Sequence, residues 1–176
     1  LQRRRQRQMC IRDRYNVAHT PKGLPPHNDF ASYRYQPSVQ ALHMLENECE
    51  GGASIIVDGW RLVDDLKTDF PEHFSILKKF RVPFREFDED NETYAEEPMI
   101  RCNSNGLIES FRFSNQLMQM IDPSRPNVQQ FYEAYHEVSR RVHLDKYRTT
   151  FRLNGGEVLI VALSLIHISE PTRHRG

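Results

Sequence analysis

The stretch "LPPHNDF", residues 24–30, sets the reading of the whole chain. Pro25 and Pro26 lack amide donors, so they suit the entry to a strand rather than its middle, and they predict an extended run from His27 to Tyr33. In such a run residues i and i+2 share a face, which puts His27 and Asp29 together while Asn28 points away. An imidazole and a carboxylate are two of the three ligands of a 2-His-1-carboxylate iron site, which a distant second His completes and which leaves three cis positions open. The chain holds 8 His and 24 acidic residues, so a His-x-Asp also arises by chance, and a His satisfied in the core or facing solvent is the plain alternative.

Outward from this stretch the patterning alternates. "VQALHML" (39–45) and "ASIIVD" (53–58) are strand-like, with Gly51 and Gly52 as the turn before the second. Between Trp60 and Lys79 the period becomes helical, and Pro71 stands like a first-turn residue, which predicts two short helices. "RVPFREF" (81–87) returns to strand, acidic residues 88–97 read as a loop, and "MIRCNSNGLIESFRF" (99–113) reads as a hairpin with positive φ at Asn105-Gly106. Pro126 then opens an amphipathic helix with Val128, Phe131, Tyr135, Val138 and Val142 on one face. "TTFRL" and "EVLIV", joined by "NGG", read as a last hairpin. The predicted class is mainly β with helical insertions, a jelly-roll-like sandwich.

A chain of 176 residues with 38% hydrophobic and 27% charged residues is one domain's worth of globular sequence. It has no apolar run near the roughly 18 residues of a membrane span, so a cytoplasmic protein with no membrane partner is expected. Cys10, Cys49 and Cys102 are too scattered for a disulfide framework or a Cys-x-x-Cys metal site. The formal net charge of zero conceals an uneven distribution. Residues 1–14 carry six Arg against one Asp, residues 163–176 carry two Arg against one Glu, and residues 15–162 hold 16 basic and 22 acidic residues, a net of −6. An acidic body argues against a nucleic-acid partner.

The two ends differ in character from the rest. "LQRRRQRQMCIRDR" (1–14) and "LSLIHISEPTRHRG" (163–176) resemble translated sequencing-adapter sequence, and both are expected to be non-native. A basic arm for nucleic acid is the other reading of the first. Residues 15–162 are expected to be an incomplete domain, truncated at its C-terminal side.

That body resembles the TauD/TfdA-like iron(II)/2-oxoglutarate dioxygenases, within them the γ-butyrobetaine and trimethyllysine hydroxylase branch. The stretches that carry the resemblance are "NVAHTPKGLPPHNDF", "PSVQALHMLENECEGGASIIVDGW", "FPEHFSILKKFRVPF", "IESFRFSN" and "LNGGEVLIV", in family order. It implies a double-stranded β-helix, or jelly roll, with Fe(II) as cofactor and 2-oxoglutarate as cosubstrate. Its reaction uses O₂ to hydroxylate a small, cationic amino-acid-like substrate such as γ-butyrobetaine, with oxidative decarboxylation of 2-oxoglutarate to succinate.

By the same resemblance His27 and Asp29 match the first two metal ligands. Ser54 and Asn16 match positions that contact 2-oxoglutarate, and His19, Phe30 and Asn115 match positions lining the substrate pocket. Asp58 and Gly59 shape a strand-to-helix turn, and a homodimer of the full-length parent is compatible with the family. Two departures stand out. His19 replaces a tyrosine of the family's "NVAYT", removing one wall of an aromatic cage for a trimethylammonium group. After "GEVLIV" the family continues into a distal His ligand and a 2-oxoglutarate-binding Arg, whereas this chain enters the adapter-like string, so His167 and Arg173 are read as coincidences and the present chain as inactive. A non-catalytic jelly-roll module that binds a small molecule is the rival reading.

Deleting residues 1–14 is expected to improve the chain's behaviour on size-exclusion chromatography without abolishing binding; loss of a nucleic-acid affinity on deletion would restore the basic-arm reading.

Overall fold

Asp58 closes a strand and opens a helix, because its carboxylate accepts a hydrogen bond from the Arg61 amide at 3.0 Å and satisfies a donor that a helix start leaves free. The computed structural model describes residues 25–47, 53–87 and 89–162. Within them, strands β1 (Gln40–His43) and β2 (Ala53–Val57) precede helices α1 (Gly59–Asp69) and α2 (Pro71–Lys79). Strands β3 (Arg81–Phe87), β4 (Glu92–Pro98), β5 (Ile100–Cys102) and β6 (Ile108–Phe111) follow, then helix α3 (Val128–Arg141), a short 3-10 turn at Asp145–Tyr147, and strands β7 (Arg148–Arg152) and β8 (Val158–Val161). Strands thus outnumber helices, as the patterning predicts.

Helical periodicity positions the core. Leu62, Val63 and Leu66 of α1, Phe74 and Leu77 of α2, and Phe131, Ala134 and Val138 of α3 are buried together with Phe84, Phe111 and Phe113 of the strand side. The Phe80 and Phe131 rings stack at 4.6 Å between centroids, and the Tyr135 ring stacks on Phe113 at 5.4 Å. Arg141, 4% exposed, closes the bundle through charge-assisted bonds to Glu137 at 2.7 Å and to Asp69 at 2.6 Å. Hydrogen bonding to Arg140 is the chief influence that draws the Glu137 carboxyl down to about 2.

The acidic segment expected as a loop is instead mostly strand. β4 pairs antiparallel along the whole of β3, from Arg81 opposite Pro98 to Phe87 opposite Glu92. Its period-2 pattern is hidden because an inward position is an acid: Glu97 is buried against Arg101 at 2.9 Å and Arg81 at 3.5 Å. The 99–113 segment does form a hairpin, but Asn105 does not share the positive φ. A turn closed by the Gly106 amide on the Asn103 carbonyl at 3.0 Å puts only Gly106, at φ 77°, in the left-handed region.

The expected last hairpin does not form. β7 pairs antiparallel with β2, from Ala53 opposite Arg152 to Val57 opposite Arg148, while β8 pairs antiparallel with β1, from Gln40 opposite Val161 to His43 opposite Val158. The "NGG" loop carries the chain from one pair to the other and is pinned to the far strand, since the Met44 amide donates to Glu157 and the Gly156 amide to Met44. A side chain at Gly155 would put its Cβ 3.2 Å from the Leu45 carbonyl oxygen, a tight approach that the Leu45 backbone would have to yield to accommodate. Among the described residues no helix is long and apolar enough to cross a membrane.

The core and an unsatisfied hydroxyl beside it make opposite predictions. Phe131→Ala is expected to cost about 3–5 kcal/mol in urea unfolding through the cavity it leaves. Tyr135→Phe is expected to hold or raise the melting temperature, because the Tyr135 hydroxyl is buried without a partner among the described residues and burial pushes its ionisation up to about 12.

Candidate metal centre

His27 is reached directly after the two prolines and is 8% exposed. The next residue anchors the segment: the Asn28 amide donates to the Phe113 carbonyl at 2.6 Å, and the Phe113 amide donates back to the Asn28 side-chain oxygen at 2.5 Å. Asn28 is wholly buried.

The extended run expected from His27 to Tyr33 is not present. Asn28 spends its side-chain oxygen on the Phe113 amide, two residues past β6, so backbone pairing stops after one residue, and Phe30 at φ 58° swings the chain into a turn closed by the Tyr33 amide on the Phe30 carbonyl at 3.0 Å. A left-handed conformation at an aromatic residue is uncommon and marks a backbone held by its surroundings. The turn nevertheless achieves what the pleat was expected to do: His27 Nε2 lies 3.2 Å from Asp29 Oδ1.

The surrounding bonds fix how each group is presented. His27 Nδ1 lies 2.9 Å from the Pro25 carbonyl oxygen, which only accepts, so Nδ1 carries a proton and Nε2 is the nitrogen turned toward Asp29. Two donors bound in cis positions about 2.1 Å from one first-row metal ion stand about 3.0 Å apart, so the pair fits a metal as well as a proton. The carbonyl-anchored Nδ1 is also the arrangement that metal-binding histidines favour.

Three further residues complete the frame and escaped the sequence reading. Gln40 Nε2 donates to Asp29 Oδ2 at 2.8 Å, and Gln36 Nε2 donates to the Asp29 carbonyl at 3.1 Å. Both glutamine side-chain oxygens are buried without a protein partner among the described residues. Arg112, 3% exposed, donates from Nη2 to the Tyr33 carbonyl at 2.9 Å and lies over the Phe84 ring, so it ties down the far end of the turn. Burial lowers its ionisation to about 10, which leaves it cationic at neutral pH. In sequence, "FRF" gives no sign that its arginine is interior.

The other predicted positions are distributed around this pair. Phe30, half-buried, meets Tyr33 edge-on at 5.3 Å. Ser54 is 4% exposed in β2, opposite Phe151. Asn115 lies exposed on the turn after Ser114, two residues beyond Phe113. Asp58 caps α1 and Gly59 is its first residue, so both shape the strand-to-helix turn as expected. Asn16, His19, His167 and Arg173, with the two chain ends, lie outside the described residues. Among the described residues no three of His, Cys, Asp or Glu converge as a metal cluster.

Residues 3–162 match the model of the taurine catabolism dioxygenase TauD, TfdA family. The chain belongs to the TauD/TfdA family. Within this family it is 30% identical over 151 residues to the human gamma-butyrobetaine dioxygenase, covering 84% of this chain and 39% of that protein. It is 28% identical over 141 residues to the gamma-butyrobetaine dioxygenase of Pseudomonas sp. (strain AK-1), covering 80% and 37%. The non-heme iron oxygenase OrfP, solved in complex with Fe and alpha-ketoglutaric acid, superposes with a TM-score of 0.59 at 17% identity over 88% of this chain and 46% of that one. This TauD/TfdA chain therefore spans less than two fifths of the length of the two curated relatives.

Asn28→Ala leaves the buried Phe113 amide without its acceptor and is expected to cost about 1–3 kcal/mol of stability. Hydrogen exchange checks it: the Phe113 amide should lose protection before those of α3.

Proposed function

We propose that this chain is the metal-bearing part of an iron(II)- and 2-oxoglutarate-dependent dioxygenase of double-stranded β-helix fold. The reaction assigned to the whole protein is hydroxylation of a small, cationic amino-acid-like substrate such as γ-butyrobetaine, coupled to oxidative decarboxylation of 2-oxoglutarate to succinate. The observation that carries the reading is the pair of donors 3.2 Å apart, with His27 Nδ1 fixed by a backbone carbonyl and Asp29 Oδ2 fixed by Gln40. Family membership and the two gamma-butyrobetaine dioxygenases at 28% and 30% identity support the chemistry. The nested pairing of β1 with β8 and β2 with β7 supports the jelly roll.

In this reading His27 Nε2 and Asp29 Oδ1 hold Fe(II), which together with O₂ and 2-oxoglutarate supplies the oxidising chemistry. Ser54, buried on β2, donates its hydroxyl to a carboxylate of 2-oxoglutarate, with Asn16 as a second contact. His19, Phe30 and Asn115 line the substrate side. With His19 in a cage position, substrate cations are held by fewer aromatic faces than in a tyrosine-walled pocket.

The test is anaerobic titration with Fe(II), followed by assay of succinate formed from 2-oxoglutarate by a full-length form of the protein. Asp29→Ala and His27→Ala should each remove the Fe(II) affinity, and Asp29→Ala should abolish succinate formation. Binding of Fe(II) that is indifferent to both substitutions would leave the non-catalytic binding module as the better description.

A further inference from the structure

A carboxylate can offer a metal one oxygen or both, and the choice matters where open positions are few. At a facial site with two imidazoles, an aspartate bound through one oxygen leaves three positions free, whereas one bound through both leaves two. The Asp29 side chain is 41% exposed, so burial alone does not set its rotation. Two glutamines do. Gln36 holds the Asp29 backbone carbonyl at 3.1 Å, and Gln40 holds Oδ2 at 2.8 Å, so Oδ1 is the oxygen turned toward His27 Nε2.

We propose that Gln40 is a positioning residue that commits Asp29 to one-oxygen metal coordination, an inference that rests on the metal-binding reading given above. Its placement is long-range: Gln40 begins β1, where pairing opposite Val161 of β8 fixes its backbone. Its chemistry suits the task. A primary amide donates to Oδ2 without adding positive charge, whereas a lysine or arginine there would compete with a cation for the same carboxylate. Hydrogen-bonded partners behind metal ligands act in this way in general, by orienting the ligand and tuning its basicity.

The experiment titrates a full-length form of the protein with Mn(II), following free Mn(II) by electron paramagnetic resonance, and records the carboxylate infrared bands that disappear in Asp29→Ala. The unsubstituted, Mn(II)-loaded chain should show the wide separation of antisymmetric and symmetric stretches that marks one-oxygen binding. Gln40→Met should weaken Mn(II) affinity about 10–100-fold and narrow that separation, with the melting temperature of the metal-free chain unchanged. Unchanged affinity and bands in Gln40→Met would overturn the proposal. Should Gln40→Met fail to fold, the unsubstituted chain still decides, since a narrow, two-oxygen separation there overturns it directly. If the unsubstituted chain binds no Mn(II), the metal-binding reading itself fails and takes this proposal with it, a result distinguishable because it appears before any substitution at Gln40.

Discussion

The reciprocal pair between Asn28 and Phe113 is the constraint on which the candidate centre depends. One residue both gives and takes a backbone-like hydrogen bond, at 2.6 and 2.5 Å, and so imitates a strand pair for a single step. Lengthening that pairing would keep the chain extended and carry Asp29 along the strand. Ending it at Asn28 frees the backbone to enter the left-handed turn at Phe30, which returns the Asp29 carboxylate toward His27. The turn is then held from outside by Arg112 on the Tyr33 carbonyl and by Ser32 on Thr93 of β4 at 2.7 Å. A strained backbone that several independent bonds hold in place is the usual condition of a preorganised site.

The β1–β8 and β2–β7 pairs supply the frame around that turn. They bring Gln40 and Ser54, close in sequence neither to the prolines nor to one another, onto strands whose partners come from the last quarter of the described chain. Each pairing closes a loop of about a hundred residues, whose entropy cost grows only slowly with length. The aromatic layer of Phe80, Phe131, Tyr135 and Phe113 joins the helices to the segment after β6, so the same packing that stabilises α2 and α3 also backs the residue on which Asn28 docks.

Charge follows a similar logic. An acidic body would be expected to expose its carboxylates, yet Glu97 is interior because three arginines, Arg34, Arg81 and Arg101, face it. Tyr35 is exposed, with Arg34 and Arg101 each 5.6 Å from its ring. The cationic side of this layer therefore lies next to the segment that carries His27 and Asp29.

Local chemistry was enough to read much of this protein. The helices announce themselves through Asp58, Pro71 and the Phe131–Val138 stripe, because capping, the fixed φ of proline and a 3.6-residue period act within a few residues. His27 and Asp29 could be paired from their spacing of two, and the resemblance carried by the flanking motifs gave them a chemistry. Partner choice was not readable. "TTFRL" and "EVLIV" look like a hairpin because alternation and a glycine turn are local signals, whereas which strand each one meets is settled by packing across the whole chain. Glu97 looked like loop, and nothing marked Arg112 as interior, for a related reason: a charged residue becomes interior only when distant groups neutralise or accept from it. Sequence by itself therefore determined the helices, most of the strands and the pairing of His27 with Asp29. Tertiary structure alone decided the turn that joins those donors and the amide of Gln40 behind them, because both depend on hydrogen bonds between residues that the chain brings together only when folded.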